Sequence, residues 1–581
     1  MDSVDVDVLV IGGGGAGAQA ALAAAEQGAF VAILEKGVFG RSGCTVMGAY
    51  SCCAAFGHAD PRDNPGVHFA DTMRAGRGIN DPGLVELFTR EAPERVQQLF
   101  DLGVPFVRAG DGFAQAPLDG HTYPRACFIS YFHTGRSMLR GLGRVVRATS
   151  QIHVYSDILV IDLISHDGRV WGALAYDLVR ARHVLFRARA TIIATGGGSR
   201  VYARSTVSAD NTGDGLALAI RAGAALRDME FVQFYPTVTL YPRLVGWDPT
   251  APATLRLQAE SRIYNARGED FIDDLLPDWR FKGTRDFMAR TIYSEIMRGG
   301  APSPHGGVFI DVSHLPEEVI ERELGVDGFY DNLRLAGIDL KKGPIETTVA
   351  AHYFMGGIRI DGDGWTGVDG LYAAGEATAG FHGANRLAGN ALSEILVSGY
   401  RAGRAAALAA MNGGERAFPI DQVTGPQESL RNLIIGSQKD ATGAELKQAL
   451  QTIMWEKAGV VREADALAQA QREIEELALT ATHGLRTGPE VPYNMQLVDA
   501  VEARRMITVG QAIVLSALTR QESRGAHFRS DFPREDSSWR VNLDVRQTSG
   551  GDDDWGRDLA ISSCPIANAD QYPEVDDVDP D

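Results

Sequence analysis

The chain has 581 residues, of which 45% are hydrophobic and 23% are charged. This length is too great for one compact core and the composition is that of an enzyme-like globular protein, so we expect roughly two to four domains. The formal net charge of -19 argues against a nucleic-acid partner, because phosphate binding requires clustered Lys and Arg.

The five cysteines include no C-x-x-C pair and no haem-attachment motif. The sequence therefore predicts a reducing compartment and no iron–sulfur cluster, c-type haem or other metal site in this chain. Residues 1–5 are acidic where a targeting segment would be basic, and no apolar run long enough to span a bilayer follows. We expect a cytoplasmic protein without direct membrane insertion, peripheral to the inner membrane only through partner subunits.

The N-terminus has the pattern of a βαβ unit around a glycine-rich loop. Residues 6–11 predict a buried parallel strand, residues 18–27 a helix of small residues, and residues 30–34 a second strand. In such a loop the glycines allow a tight turn, the approach of a pyrophosphate and close packing of helix on strand. Glu35 stands at the spacing expected for a ribose hydroxyl. The sequence therefore predicts a Rossmann-like dinucleotide site.

Turn residues and prolines divide the rest of the chain into segments. Short β-rich runs between residues 151 and 194 predict a small meander, and prolines interrupt the stretch from 234 to 345. We predict an α/β protein whose Rossmann-like domain has an inserted α+β capping domain and is followed by a C-terminal helical domain. The predicted boundaries are 1–233 and 346–418 for the first domain, 234–345 for the cap, 419–548 for the helices and 549–581 for a solvated acidic tail.

Three later segments distinguish FAD from NAD as the ligand. The loops at 194–198, 211–215 and 370–376 are similar to the later FAD contacts of flavoproteins with two dinucleotide-binding folds. A helix beginning near residue 390 would direct its positive end toward the flavin pyrimidine, where negative charge develops on reduction. The predicted FAD contacts are Gly12, Gly14, Gly15, Ala16, Gly17, Glu35, Lys36, Thr195, Gly196, Gly197, Asp214, Glu376, Asn390 and Ser393.

Six motifs occur in a characteristic order at residues 211–215, 228–237, 285–286, 352–358, 382–387 and 522–527. With them the chain resembles, over roughly residues 6–540, the flavoprotein subunit of succinate dehydrogenase and fumarate reductase, with L-aspartate oxidase and adenylylsulfate reductase flavoprotein as relatives. The resemblance implies an FAD-dependent oxidoreductase that acts on CH–CH groups. It adds Ser42 and Thr45 to the expected FAD contacts.

In this family cations clamp a carboxylate substrate while a hydride moves between flavin N5 and one carbon. The resemblance implies that His352 and Arg386 bind the substrate carboxylate and that Arg285 transfers the proton. It also implies substrate contacts at Tyr235, Thr237 and Glu260. Without the resemblance, Arg285 would be interpreted as half of an ion pair at a helix start, and His352 as a packed core histidine.

The sequence departs from the family at the flavin attachment. Where succinate dehydrogenases carry a histidine that is covalently bonded to flavin, this chain has Cys44 after Gly43. We therefore expect non-covalent FAD, with a Cys44 thioether as the alternative. In the family, a non-covalent flavin goes with a lower potential and so favours reduction of the double bond.

The sequence also departs from the family around the substrate. The family's His-Pro-Thr is replaced at Tyr235, which removes a cation, and the Thr-Glu and Arg-Gly-Glu-Gly stretch has no clear counterpart beyond Glu260 or Arg262. Ala49 and Tyr50 stand near the family's Gln-Gly. These changes favour a larger or less charged substrate with one retained carboxylate.

The leading hypothesis is hydride transfer between flavin N5 and a carbon–carbon bond next to a carboxylate, in the reductive direction. Because this chain has no cluster motif, electrons would cross to an iron–sulfur subunit, as the resemblance implies. Two alternatives remain open, an amino acid oxidase of the L-aspartate oxidase type and a non-catalytic flavin-binding subunit of a complex.

Overall fold

The computed structural model describes residues 2–48, 50–129, 134–241, 261–272, 285–297, 301–324, 329–414, 417–435, 441–482, 485–548 and 558–567. The α-helices in these residues are α1 Gly15–Glu26, α2 Pro65–Ala75, α3 Pro82–Asp101, α4 Thr134–Ala148, α5 Asp214–Arg221, α6 Arg285–Met297, α7 Glu317–Leu324, α8 Phe329–Leu335, α9 Asn390–Asn412, α10 Thr424–Ile435, α11 Gly443–Lys457, α12 Ala464–Thr482 and α13 Met495–Thr519. The strands are β1 Asp2–Ile11, β2 Val31–Leu34, β3 Ser51–Cys53, β4 Arg108–Ala109, β5 Gly112–Phe113, β6 Gln115–Ala116, β7 Ala126–Phe128, β8 Ile152–Tyr155, β9 Ile158–His166, β10 Arg169–Asp177, β11 Arg182–Ile193, β12 Leu226–Arg227, β13 Val232–Tyr241, β14 Arg262–Tyr264, β15 Val308–Asp311, β16 Ile345–Phe354, β17 Gly357–Ile358, β18 Leu371–Ala373, β19 Val541–Gln547 and β20 Leu559–Pro565.

The predicted βαβ unit lies at the centre of the largest sheet, whose strand order is β8-β2-β1-β11-β10-β9. β1 pairs in parallel with β2 and β11, and β18 adds in parallel to β11. Residues 8–11 and 31–34 are buried, as expected for strands covered on both faces. β9, β10 and β11 form the predicted antiparallel meander.

Helices α1 and α9 pack closely because small residues line their contact. A Cβ atom at Gly403 would lie 2.1 Å from the carbonyl oxygen of Ala20, and one at Gly399 would lie 2.5 Å from that of Ala16. Neither glycine therefore tolerates a side chain without a shift of the backbone. This contact fixes the N-termini of both helices at the same end of the sheet.

The cap contains an antiparallel sheet in the order β13-β16-β15-β14, with α6 packed against it. β13 and β16 are long strands that cross the predicted limits of the cap at 233/234 and 345/346. Their register pairs Tyr235 with Ala350 and Gln233 with Tyr353. The two strands thus carry the predicted substrate residues Tyr235, Thr237 and His352 from the cap into the FAD-binding domain.

The helical domain packs α11 and α12 around α13. α13 is buried along nearly its whole length, since it also packs against α5 of the FAD-binding domain. No helix among the described residues is long and apolar enough to cross a membrane.

The end of the chain differs from the prediction. β20, Leu559–Pro565, lies inside the expected acidic tail and pairs antiparallel with β19, which in turn pairs with β12. The predicted tail, 549–581, therefore includes a strand, because the backbone of β20 completes the edge of the sheet β17-β12-β19-β20. The other residues of the expected tail, 549–557 and 568–581, lie outside the described residues.

Candidate active site

A cavity of about 950 Å³ opens at the carboxyl ends of β1, β2 and β11. This place, at the first turn of a βαβ unit, is where dinucleotides bind in such folds. The FAD-binding domain, the cap strands and the helical domain all contribute to the wall. The residues predicted from the sequence that line it are Gly12, Gly14, Gly15, Ala16, Glu35, Lys36, Thr45, Thr195, Gly196, Asp214, Tyr235, His352, Glu376 and Arg386.

The glycine loop forms a cradle that side chains would fill. Gly12 has a φ of +104°, and a Cβ atom there would lie 2.3 Å from the carbonyl oxygen of Ala194. A Cβ atom at Gly17 would lie 1.9 Å from the carbonyl oxygen of Gly12, so Gly17 lets helix and loop approach, although it is not among the described lining residues. The loop therefore leaves the N-terminus of α1 open to a phosphate group.

Glu35 lies where β2 ends at the cavity. Its carboxylate accepts hydrogen bonds from the backbone N–H of Gly13 at 2.7 Å and of Gly37 at 3.3 Å. Burial raises the pKa of Glu35. The geometry fits a carboxylate that receives a ribose hydroxyl while the backbone of the glycine loop holds it.

Lys36 and Asp214 form a partly buried ion pair next to Glu35 on the cavity wall. The Nζ atom of Lys36 lies 2.7 Å from Asp214 and 2.6 Å from Glu502. Burial disfavours the charged form of Lys36, but these two carboxylates outweigh it and raise its pKa. Burial also opposes ionisation of Asp214, yet Lys36 and Arg505 lower its pKa to about 2.

Glu376 is a partly buried carboxyl group on the cavity wall. It accepts a hydrogen bond from the backbone N–H of Phe354 at 3.1 Å, and burial raises its pKa to about 7. A Cβ atom at Gly197 would lie 2.7 Å from the Oε1 atom of Glu376. Gly197 is not among the described lining residues, but its lack of a side chain makes room for this carboxyl group.

Cys44 lines the cavity beside Glu376. Its Sγ atom accepts a hydrogen bond from the Asn211 side chain at 3.3 Å. Burial, reinforced by the nearby Glu376, raises the pKa of the Cys44 thiol to about 12. The thiol is therefore neutral at physiological pH, whereas a thioether bond would require the thiolate as nucleophile.

Three residues with side chains that were predicted to contact FAD are not among the described residues of the cavity wall, namely Ser42, Asn390 and Ser393. The Ser42 hydroxyl accepts a hydrogen bond from the backbone N–H of Val38 at 2.7 Å and so closes a turn. The Asn390 side chain bonds to His68 at 2.9 Å and to Thr72 at 3.0 Å, which ties α9 to α2. Ser393 is buried beneath the first turn of the same helix.

The start of α9 nevertheless faces the cavity, since Ala391 and Leu392 line it. A helix N-terminus carries unpaired N–H groups and a positive partial charge. The backbone at this point can therefore stabilise an anionic group in the cavity. The prediction located the right turn of the helix, but the wall is formed by residues next to the two that were predicted.

The substrate motifs meet at the other end of the cavity. The Nδ1 atom of His352 lies 2.8 Å from the Thr206 hydroxyl, and its ring centroid lies 5.0 Å from that of Tyr235. Arg386 donates from Nη2 to Gln233 at 2.9 Å, and its guanidinium lies 4.4 Å from the centre of the Tyr353 ring. Both contacts orient the buried Arg386 cation within the wall.

A chain of amide contacts connects Arg386 to the cap. Gln233 donates to the Asn385 side chain at 2.8 Å, and Asn385 donates to Asp286 at 3.0 Å. Asp286 belongs to α6, the helix that begins at Arg285. The start of this cap helix is therefore held next to the loop that carries Arg386.

The remaining predicted substrate residues are placed differently. The side chain of Arg285 and all of Glu260 lie outside the described part of the chain. Thr237 is fully buried in β13, and Arg262 is exposed at the start of β14, so neither is among the described lining residues.

Sequence reasoning missed several residues of the wall. Leu118 and Phe128 add apolar surface to the cavity wall, and Tyr353 lies beneath Arg386. Arg505 comes from α13 of the helical domain. No local pattern identifies them, because each reaches the cavity only through the tertiary fold. The described residues hold no group of His, Cys, Asp and Glu suited to a metal ion.

The chain matches two family models, one described as FAD binding domain over residues 7–392 and one described as fumarate reductase flavoprotein C-term over residues 447–555. It is similar to one of the subunits of the fumarate reductase (CoM/CoB) of Methanothermobacter marburgensis, with 38% identity over 543 residues that cover 93% of this chain and 96% of that protein. It is also similar to an L-aspartate oxidase of Caulobacter vibrioides, with 38% identity and coverage of 89% and 91%.

A chain of the Mycobacterium smegmatis Sdh1 complex in the apo form has the same fold. It superimposes with a TM-score of 0.87 and 34% identity, covering 98% of this chain and 95% of that one. The glycine cradle and the carboxylates of Glu35 and Glu376 on the cavity wall fit FAD, and the match to the FAD binding domain spans residues 7–392. The chain therefore belongs to the succinate dehydrogenase and fumarate reductase flavoprotein family and is an FAD-dependent oxidoreductase.

Proposed function

We propose that this protein reduces a carbon–carbon double bond next to a carboxylate, as the flavoprotein subunit of a larger complex. The observation that carries the proposal is the convergence of Arg386 and His352 on one end of the FAD cavity, with the neutral Tyr235 beside them. When bound, FAD supplies hydride exchange at N5 of its isoalloxazine.

Arg386 binds the substrate carboxylate, because a fixed guanidinium offers two parallel N–H donors to the two carboxylate oxygens. His352 gives a second polar contact, and the Thr206 hydroxyl holds its ring in place. Arg285, at the start of α6, delivers the proton to the neighbouring carbon, as in the family. The Asp286–Asn385–Gln233 chain keeps that helix start in register with Arg386.

Beside Arg386 and His352 the wall carries less charge. Tyr235 replaces a cation, and Leu118 and Phe128 add apolar surface to the wall. An unpaired second carboxylate there would lose its hydration without a compensating cation. We therefore favour unsaturated acids with one carboxylate and a less charged second end over fumarate itself.

The state of Cys44 supports a non-covalent cofactor. Its thiol pKa of about 12 leaves almost no thiolate to form a thioether. Without that bond, the loop cradle, Glu35 and Glu376 would hold the flavin, and the lower potential associated with non-covalent flavin in the family supports the reductive direction.

The electrons come from a partner subunit in this proposal. The Methanothermobacter marburgensis relative is named as one subunit of its enzyme. An iron–sulfur subunit is the electron carrier that the family resemblance supports.

A second candidate is an oxidase of the L-aspartate oxidase type. Its support is the relative at 38% identity, together with Asp119, which lines the cavity and offers a carboxylate to a substrate ammonium group. In this case the same Arg386 would bind the substrate carboxylate, and hydride would leave the carbon that bears nitrogen.

Turnover under anaerobic conditions separates the candidates. The FAD-loaded protein is mixed with a reduced viologen dye and, in turn, fumarate or a 2-enoic monocarboxylic acid, and dye oxidation is followed. The proposal expects dye oxidation that is faster with the monocarboxylic acids. Ammonia and hydrogen peroxide from L-aspartate in air, without dye oxidation by any enoic acid, would establish the oxidase instead, and inactivity in both assays would indicate a non-catalytic subunit.

A further inference from the structure

One end of the cavity is suited to the adenosine half of FAD. Glu35 lies there at the end of β2, and the backbone N–H of Ile158 donates to the carbonyl oxygen of Glu35 at 3.0 Å. Residues 158–160 line the cavity next to it. Because the acidic residue at the end of the second strand receives the adenosine ribose in dinucleotide folds, Glu35 and residues 158–160 would hold the adenosine.

The helical domain reaches this same end. Arg505 of α13 lines the cavity although its residue is only 1% exposed. Its Nη2 atom donates to the carbonyl oxygens of Val160 and, at 2.8 Å, Ile161. Arg505 therefore fixes the strand segment that forms the adenosine wall, and its Nη1 atom lies 3.5 Å from Asp214.

Glu502, one turn before Arg505 on α13, makes the second connection. Its two carboxylate oxygens bind Lys36 at 2.6 Å and Lys447 at 2.7 Å. Lys36 follows Glu35 directly in sequence, so Glu502 also fixes the end of β2. Two residues of the helical domain thus hold the two chain segments that would contact the adenosine.

These contacts belong to an ion cluster between the two domains. The interdomain ion cluster consists of Lys36, Asp214, Lys447, Asp499, Glu502 and Arg505. Its three cations balance its three anions, and the exposed fraction of its side chains ranges from 1% at Arg505 to 28% at Asp499. Separation of the domains would break the contacts of Lys36 with Glu502 and of Asp214 with Arg505, so the cluster favours the docked arrangement.

We propose that Arg505 and Glu502 are positioning residues for the adenosine half of FAD, so that the docked helical domain is part of the cofactor site. FAD binding and domain docking are then coupled, and each strengthens the other by the same factor. An ordinary domain interface would stabilise the protein without any effect on nucleotide affinity.

The test compares R505M with R504M. Arg504 is the neighbour of Arg505 on α13 and is 7% exposed, but it donates to the carbonyl oxygen of Ala481 within the helical domain. Both substitutions remove one buried guanidinium from the same helix. The dissociation constant of FAD from the apoprotein, measured by quenching of flavin fluorescence, should rise about tenfold to a hundredfold in R505M. In R504M it should stay within about twofold of wild type.

ADP serves as a probe of the adenosine half alone. R505M should weaken ADP binding to the apoprotein by the same factor as FAD binding, and R505K should recover part of both. Unchanged FAD affinity in R505M, equal weakening in R504M, or a loss for FAD without a loss for ADP would each overturn the proposal. If R505M does not fold, E502Q and R505K are measured in its place, with the same expected direction and the same contradicting results.

Discussion

Substitution of Arg386 by methionine removes the cation to which we assign the substrate carboxylate. Arg386 is 7% exposed, and its guanidinium is held by Gln233 at 2.9 Å and by the Tyr353 ring at 4.4 Å. Because these contacts orient the donors before substrate arrives, little ordering cost opposes carboxylate binding. Loss of two charge-assisted hydrogen bonds at a buried site corresponds to about 3–4 kcal/mol, which is about two to three orders of magnitude in kcat/KM.

The assay is anaerobic oxidation of a reduced viologen dye by a 2-enoic acid, with rates expressed per bound flavin. R386M should raise KM more than it lowers kcat, since the carboxylate is bound in both the ground state and the transition state. R386K keeps the charge but not the paired donors, so its loss should be about tenfold smaller than that of R386M. A kcat/KM for R386M within about twofold of wild type would refute this role.

Further outcomes follow from single residues on the cavity wall. Y235H should increase the preference for fumarate over monocarboxylic enoic acids about tenfold in kcat/KM ratios, and an unchanged ratio would exclude contact with the second carboxylate. Acid precipitation should leave all flavin in the supernatant because the Cys44 thiol is neutral, whereas flavin in the pellet would reveal a thioether. K36M should lower the free energy of unfolding in urea by about 3–5 kcal/mol, since Asp214 and Glu502 lose their shared cation; a loss under about 1 kcal/mol would contradict that. The pKa of Asp214 falls from 3.8 to about 2 on folding. The stability advantage of wild type over D214N should therefore be complete above pH 3.8 and disappear as the pH falls through about 2. An advantage that persists at lower pH would show that it has another origin.

The parts of the site that the sequence predicted are those with a local signal. The strand, the loop and the helix at the N-terminus carry their glycines and apolar residues in one continuous stretch. Residues such as Gly12 and Glu35 therefore follow from spacing alone, and the structure places both on the cavity wall. The fold class follows in the same way, from the regular spacing of apolar residues along the strands and helices.

The parts that were missed depend on tertiary contacts or on side-chain direction. Glu502 meets Lys36 across 466 positions of sequence, a contact that no motif spacing encodes. The helix beginning at Asn390 was located correctly, but each residue turns by about 100° around a helix, so neighbouring residues form the wall. β20 was missed because its strand forms only against the edge supplied by β19, within a segment whose composition is acidic.

The most direct test of the account is a single turnover of the flavin itself. The FAD-loaded protein is reduced chemically without oxygen and mixed in a stopped-flow instrument with a 2-enoic monocarboxylic acid, and the absorbance of oxidised flavin is followed while the product acid is quantified. We predict reoxidation of the flavin with one saturated acid formed per flavin. Reduced flavin that persists with every enoic acid, but is reoxidised by oxygen after reduction by L-aspartate, would contradict the account.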